Sequence, residues 1–119
     1  MKTYRDLIVW QKAIDLVIEI YEESISFPKD EIYGLTSQIR RSSISIPSNI
    51  AEGYGRNSTA DYSRFLQIAS GSLYEFQTQL LICFKIGYLS NEKYESLFSL
   101  SFEVEKMLSS LIKKLSISN

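Results

Sequence analysis

The sequence predicts an all-α protein, an up-down-up-down antiparallel four-helix bundle with a proline-kinked second helix, and three observations support this fold. Apolar residues recur at three- and four-residue steps along four long segments, as they do on one face of an amphipathic helix. Short connections containing Pro, Gly and Ser separate these segments, and short connections favour antiparallel neighbours. Pro47 lies inside the second segment, where proline removes one helical hydrogen bond.

The length and composition are those of one folded domain, which we expect to span residues 1–119. Hydrophobic residues make up 45% of the chain and charged residues 23%, as in ordinary globular proteins. The amino-terminal segment carries Asp6, Lys12 and Asp15 among its apolar residues, unlike a signal peptide. The longest apolar run, residues 80–84, is too short to cross a bilayer. We therefore expect a cytoplasmic protein with no membrane partner.

The residue types argue against most enzyme classes. The chain has no histidine and a single cysteine, Cys83, so the usual zinc sites and histidine-dependent catalytic groups are missing. Carboxylates such as Glu52 show no partner arrangement for acid–base catalysis. Cys83 falls on a core stripe, where it is expected to be an inert small hydrophobe. We expect a protein that is not an enzyme and that uses no cofactor.

The first helix is predicted to begin at Leu7 and to end before Phe27 and Pro28. Its first apolar stripe, expected to face the core, consists of Leu7, Trp10, Ile14, Val17 and Tyr21. A second stripe, about 100° round the helix, consists of Val9, Ala13, Leu16 and Ile20. Either the helix is wedged deeply within the bundle, or the second stripe forms an oligomer interface. We favour the oligomer interface.

The second helix is predicted from about Asp30 to Gly53, with Gly53 and Gly55 closing it. Its inner face is expected to contain Leu35, Ile39, Ser42 or Ser43, Ile46 and Ile50. Pro47 cannot donate to the carbonyl of Ser43, so a kink or break is expected there. The neighbouring serine hydroxyls are expected to bond the freed backbone groups, directly or through water.

The third and fourth helices carry clear terminal signals. Ser58 is expected to cap the third helix and Gly87 to end it, and Ser90 is expected to cap the fourth. Gly71, inside the third helix, is expected to permit the close approach of another backbone. The apolar stripe of the third helix consists of Tyr62, Leu66, Ala69, Leu73, Phe76, Leu80 and Cys83. That of the fourth consists of Leu97, Val104, Leu108, Leu111 and Leu115.

Positive charge is concentrated in the middle of a chain whose net charge is −1. The candidate binding residues there are Arg40, Arg41, Asn49, Glu52, Arg56 and Arg64. Arg41, Ser45, Ser48, Glu52 and Arg56 fall on one outer stripe of the second helix, whereas Arg40 lies about 100° from Arg41. This polar stripe is either a solvated face with a Glu52–Arg56 pair or a recognition surface whose arginines bind phosphate.

Two tyrosines flank the second connection. Tyr54 and Tyr62 lie near Arg56 and Arg64 in the sequence. Aromatic rings in such a setting either stack on unpaired bases or anchor the packing of a helix end. Both interpretations remain open at the level of the sequence.

Four segments of the chain resemble a known family. Residues 6–16 (DLIVWQKAIDL), 33–56 (YGLTSQIRRSSISIPSNIAEGYGR), 63–75 (SRFLQIASGSLYE) and 86–90 (IGYLS) resemble the four-helix-bundle proteins encoded in intervening sequences of bacterial 23S ribosomal RNA genes. The family is also similar to the accessory variability determinant of diversity-generating retroelements, which works with a reverse transcriptase and nucleic acid. The resemblance implies a homopentamer without catalytic activity, and RNA binding has been proposed for the family.

The motif arginines of that family match Arg40, Arg41 and Arg56 in this chain. The retroelement proteins present a basic surface, whereas this chain is slightly acidic overall. Two functions are therefore weighed. One is a homo-oligomeric module that binds RNA or a nucleoprotein partner, and the alternative is a protein–protein interaction scaffold with no nucleic-acid role.

Overall fold

The computed structural model describes residues 3–118, which form four α-helices and contain no strand. Two short 3₁₀ turns, Tyr4–Asp6 and Lys29–Glu31, precede the first and second helices. The helices are α1 (Ile8–Ser24), α2 (Leu35–Tyr54), α3 (Thr59–Lys85) and α4 (Asn91–Ser118). The predicted all-α, four-helix fold class is confirmed.

The four helices close around one core. Helix α1 packs against α2 and α4, and α3 packs against the same two helices. Between α1 and α4, Lys12 Nζ lies 3.3 Å from Glu103 Oε1, and Lys93 Nζ lies 3.1 Å from Glu23 Oε2. These contacts show that α1 and α4 run antiparallel. The bundle is 46 Å long and about half as wide.

The core uses the α1 stripe that was assigned above to an oligomer interface. Val9 is 5% exposed, and Ala13, Leu16 and Ile20 are completely buried within the single chain. The prediction that these four residues form an oligomer interface is therefore wrong. The stripe expected in the core instead lies at its margin, half-buried or exposed: Leu7, Trp10, Ile14, Val17 and Tyr21. Periodicity gives the angle between two stripes but not which of them turns inward.

Helix α2 begins later than predicted because the residues before it are used as a cap. The Glu31 side chain lies in the 3₁₀ turn, and its Oε1 accepts the Leu35 backbone N–H at 3.1 Å. This bond satisfies one of the amides that a helix start leaves without an internal partner. The helix therefore starts at Leu35 rather than near Asp30.

Helix α2 runs through Pro47 without interruption, and the predicted kink stays a prediction. The carbonyl that loses its helical donor is that of Ser43. The Ser43 hydroxyl itself donates to the Arg40 carbonyl at 2.7 Å, one turn earlier. On the other side of the proline, Asn49 Nδ2 donates to the Ser45 carbonyl at 2.8 Å. The polar side chains thus bond backbone carbonyls close to Pro47.

Two serines of α2 also bond across to α3. Ser42 Oγ lies 2.7 Å from Gln79 Oε1, and Ser72 Oγ donates to Ser45 Oγ at 2.9 Å. Ser42 and Gln79 are both buried, so this bond satisfies two polar groups inside the bundle. The serines of an otherwise apolar helix are therefore explained by contacts with α3 as well as by the proline.

The seam between α3 and α4 carries a ladder of aromatic rings. The Phe84 and Tyr94 rings stack with their centroids 4.6 Å apart. Phe98 and Phe102 continue the stack along α4, and Lys106 Nζ lies 5.1 Å from the Phe102 centroid. Spacing of four residues places these α4 side chains on one face, where their rings support one another.

The predicted helix ends of α3 and α4 are confirmed. Ser58 Oγ accepts the Asp61 N–H, and Ser90 Oγ accepts the Lys93 N–H, each at 3.1 Å. Gly87 adopts a φ of 91°, a conformation that strains any residue with a Cβ atom.

The glycine that permits close helix packing is Gly53, not Gly71. A Cβ atom at Gly53 would lie 2.7 Å from Phe65 Cβ and 3.2 Å from the Tyr62 carbonyl oxygen. Gly71 is exposed, and a Cβ there would have no neighbour within 4 Å. The expectation of a close approach at Gly71 is therefore wrong, because that position of α3 faces away from the core.

The connection between α1 and α2 is fastened to the connection between α3 and α4. The Tyr88 hydroxyl donates to Glu31 Oε2 at 2.8 Å, while Glu31 Oε1 holds the Leu35 N–H. The rings of Phe27 and Tyr88 lie beside this bond, 5.4 Å apart. The backbone and Tyr88 hydrogen bonds keep the pKa of Glu31 below its ordinary value of 4.5.

We expect opposite effects from alanine at the two glycines. Gly53→Ala should lower the free energy of unfolding by about 1–3 kcal/mol, because the new methyl group clashes with α3. Gly71→Ala should raise it by about 0.5–1 kcal/mol, because alanine favours an exposed helix interior. Urea unfolding followed by circular dichroism measures both. Equal effects at the two positions would contradict the packing described here.

We expect the hydrogen bonds of Glu31 with the Leu35 N–H and the Tyr88 hydroxyl to stabilise the fold less in acid. Because its folded-state pKa is lowered, Glu31 stabilises the fold above its unfolded pKa near 4.5, and this contribution is lost as the pH falls through the folded pKa. The difference in thermal midpoint between the wild type and Glu31→Gln should be constant above pH 6 and shrink below about pH 4.5. Glu95→Gln, on the exposed side of α4, serves as the control. A difference independent of pH would contradict the role of the carboxylate charge.

Candidate functional site

The outer stripe of α2 is polar and largely solvent-exposed. Arg41, Ser48, Glu52 and Arg56 are exposed, whereas Asn49 is half-buried. Arg56 Nη2 pairs with Glu52 Oε2 at 2.8 Å, the i,i+4 pair expected from the sequence. Such an exposed pair contributes only about 0.3–0.5 kcal/mol and can exchange for a phosphate contact.

At one end of this stripe, two arginines meet at an aromatic ring. The Cζ atoms of Arg56 and Arg64 each lie 4.7 Å from the centroid of the Phe65 ring. Arg64 Nε also lies 3.5 Å from Asp61 Oδ1. Phe65 is not among the site residues predicted from the sequence. Phe65 could have been identified because it is an aromatic residue directly after Arg64 in the first turns of the third helix, where arginines can stack on its ring.

The two tyrosines near these arginines pack against each other. The Tyr54 and Tyr62 rings meet edge to face with centroids 5.9 Å apart, and both side chains are half-buried. Burial raises the pKa of Tyr62, and the neighbouring Tyr54 adds to the shift. This geometry favours the packing-anchor interpretation over a free platform for base stacking.

Arg40 lies on the side of α2 that faces α1, and its side chain bridges the two helices. Its Nε donates to Ser24 Oγ at 2.8 Å, and its Nη2 donates to the Tyr21 carbonyl at 3.4 Å. Its Cζ lies 4.6 Å from the Tyr21 ring centroid. Arg40 therefore ties two helices together and has a fixed orientation.

Arg40 and Arg41 nevertheless reach one groove. The groove has a volume of about 360 Å³ and is lined by Tyr21, Ile32, Thr36, Ser37, Arg40, Arg41 and Ile44. The sequence placed Arg40 and Arg41 about 100° apart on α2, but both long side chains flank the same depression. Within residues 3–118, the side chain of Arg41 makes no hydrogen bond or ion pair and is exposed, so its guanidinium is available to a ligand.

The outer face of α1 is apolar where it meets α2. A groove of about 270 Å³ is lined by Tyr4, Trp10, Ile14, Val17, Ile44, Pro47, Ser48 and Ala51. Ile18 continues the same side of α1, and Ile25 follows directly after its last residue; the two are 51% and 78% exposed. This outer α1 face, defined by Trp10, Ile14, Val17, Ile18 and Ile25, is a contiguous apolar surface of the kind that marks a partner interface.

The described part of the chain offers little for metal or thiol chemistry. Among residues 3–118, no three His, Cys, Asp or Glu side chains are grouped so that they could hold a metal ion. Cys83 is buried, and this burial raises the pKa of its thiol to about 12, so the thiol is protonated at neutral pH. None of the helices in this part of the chain combines the length and apolarity needed to span a membrane.

Comparison with known proteins identifies the family. No curated protein matches this chain significantly. A crystal structure of a protein of unknown function from the S23 ribosomal protein family of Bacteroides thetaiotaomicron VPI-5482 is similar in sequence and fold. The two share 30% sequence identity with a TM-score of 0.81, over 89% of this chain and 99% of that one. Residues 5–110, including the four helices' shared core, match the model of one sequence family. The chain therefore belongs to the 23S rRNA-intervening sequence protein family.

Proposed function

We propose that this protein is a non-enzymatic homo-oligomer that binds RNA, or an RNA-containing partner, through the arginine-bearing outer stripe of α2. The observation that carries the proposal is Arg41, an exposed guanidinium without a partner among the described residues. Arginine forks suit phosphate oxygens, and contacts with phosphate supply most of the affinity of non-specific nucleic-acid binding. The family name, taken from 23S ribosomal RNA genes, agrees with such a ligand.

The surface has two basic points rather than a continuous patch. Arg41 lies beside the groove near the start of α2, and the Arg56–Arg64 pair lies at its end. The helix rises about 20 Å from Arg41 to its last residue, Tyr54, at about 1.5 Å per residue, and Arg56 follows two residues later. A single chain of net charge −1 therefore offers few phosphate contacts. Repeating the surface around an oligomer would let several weak contacts act together through effective concentration.

The outer α1 face supplies a surface for self-association. The half-buried Ile14 and the exposed Ile18 lie on one side of α1 at helical spacing, and the exposed Ile25 caps the same helix with helical backbone angles. A neighbouring chain that covers them would remove apolar area from water, which favours association. We propose a pentamer, the assembly that the family resemblance implies, with this face in place of the buried stripe as its interface.

We expect the wild-type protein to bind a structured 23S ribosomal RNA fragment with salt-dependent affinity. The double variant Arg41→Ala, Arg56→Ala should bind more weakly, and the magnitude of the negative slope of log K against log salt should decrease by about 2, because two phosphate contacts are lost. Filter binding or fluorescence anisotropy at several salt concentrations, with tRNA as competitor, measures both quantities.

A matched control removes the same charge elsewhere. Lys85 and Lys113 are exposed on α3 and α4, outside the outer stripe of α2. Lys85→Ala, Lys113→Ala should leave the slope closer to that of the wild type than the arginine variant does. If the two double variants behave alike, or if affinity and slope are unchanged in both, the assignment to α2 fails.

We expect the oligomer to depend on the outer α1 face. Ile18→Asp should shift the mass toward that of the monomer, because an aspartate in an apolar contact must lose its hydration. Ile8→Asp changes an isoleucine that is 58% exposed on another side of α1, and it should keep the wild-type mass. Light scattering after size-exclusion chromatography separates the outcomes. A monomeric wild type would refute self-association.

The apolar outer α1 face also favours the alternative function, a protein–protein interaction scaffold with no nucleic-acid role. In that case the polar stripe of α2 would be covered by a neighbouring subunit or another protein. Arg41→Ala or Glu52→Ala would then alter the oligomer mass, while RNA would not bind even at low salt. RNA binding with an unchanged oligomer mass in Arg41→Ala would exclude this alternative.

A further inference from the structure

Of the buried hydroxyls in the described chain, one lacks a hydrogen-bond partner. Thr36 is 5% exposed, and its Oγ1 has no donor or acceptor within residues 3–118. By contrast, the buried hydroxyls of Ser24, Ser43 and Ser101 donate to backbone carbonyls, and that of Ser42 donates to Gln79 Oε1. A buried polar group without a partner is costly, and an ordered water or a bound ion is one way in which such a group is satisfied in native structures.

Thr36 lies where two cavities adjoin. It lines the groove of about 360 Å³ that contains Arg40 and Arg41. It also lines a smaller cavity of about 110 Å³ beneath the α1–α2 connection, to which Lys29 contributes. Arg40 borders both cavities as well. The unpartnered hydroxyl and three cationic side chains therefore surround one region.

The donors of this region suit a tetrahedral anion. Arg40 uses two of its five N–H groups on Ser24 and Tyr21, so three remain, and all five of Arg41 are available. Thr36 and Ser37 add hydroxyls from the first turn of α2, a 20-residue helix whose amino-terminal end favours negative charge. A carboxylate offers two oxygens to these donors, whereas a phosphate monoester offers three terminal oxygens.

One acidic side chain near this end of α2 is already engaged. Both oxygens of Glu31 accept hydrogen bonds, from the Leu35 N–H and the Tyr88 hydroxyl. The Tyr21 ring and the side chains of Ile32 and Ile44 supply the apolar walls of the groove. The volume and mixed lining are those of a small-molecule site with a few polar groups.

We propose that the groove between α1 and α2 binds a phosphate monoester through Arg40, Arg41 and Thr36. Arg40 is held in place by α1 before the ligand arrives, so little side-chain freedom is lost when the ligand binds. The phosphate is carried either by a free nucleotide or by the end of an RNA chain. The inference rests on the proposed function only if the phosphate is carried by the end of an RNA chain.

Titration with inorganic phosphate at constant ionic strength, followed by amide chemical shifts in NMR spectra, tests the site. Saturable shifts are expected at Thr36, Ser37, Arg40 and Arg41. Arg41→Gln should weaken binding about tenfold, equivalent to 1.4 kcal/mol, because one charge-assisted contact is lost. Thr36→Val, which keeps the side-chain shape, should weaken binding several-fold while the thermal midpoint stays equal or rises. Shifts that do not saturate, or that are equally large at Arg56 and Arg64, would overturn the proposal.

Arg56→Gln is the matched control, since Arg56 lies outside the groove. It should leave phosphate binding unchanged even if it weakens RNA binding. Adenosine monophosphate, and an RNA oligonucleotide with and without a 5′-phosphate, distinguish the two sources of the phosphate. If RNA binding needs Arg41 but phosphate does not bind, this inference fails while the proposed function survives. If phosphate binds and RNA does not, the proposed function fails while this inference survives.

Discussion

The close packing of α2 against α3 is the constraint on which the rest of the structure depends. It requires a residue without a side chain at Gly53, where α2 meets Phe65 and Tyr62. It also uses short hydroxyl side chains, Ser42 and Ser45, which bond to α3 at distances that larger residues would prevent. The inner face of α2 is thus chosen for small volume as much as for apolar character.

This packing determines what the outer surface of α2 can present. Because the inner face is fixed against α3, the helix must turn Arg41 and Glu52 outward, and Arg56 follows just after its end. The same rotation brings Arg40 toward α1, where it bonds Ser24 and Tyr21. The basic residues are therefore split between a solvent-exposed stripe and a groove at the α1–α2 junction, although they are close together in sequence.

The fold class, both ends of α3 and the start of α4 could be predicted from the sequence because they depend on local chemistry, whereas the start of α2 could not. Ser58, Gly87 and Ser90 act at the positions where their side chains or backbone freedom indicate a helix end. Which apolar stripe of α1 faces the core could not be predicted. The two stripes are similarly apolar, and only the packing of the neighbouring helices decides between them. Thr36 could not be recognised either, because nothing in the sequence distinguishes a threonine without a partner from one that has a partner.

The position of Arg40 has a consequence for how changes at this site can be interpreted. Its guanidinium connects α1 to α2 and also borders the groove, so fold integrity and ligand recognition share one side chain. A substitution there alters the hairpin itself, and a lost ligand contact would be indistinguishable from a loosened helix pair. By the same coupling, an anion that engages the remaining N–H groups would hold the two helices together more firmly, as any ligand of the native state does.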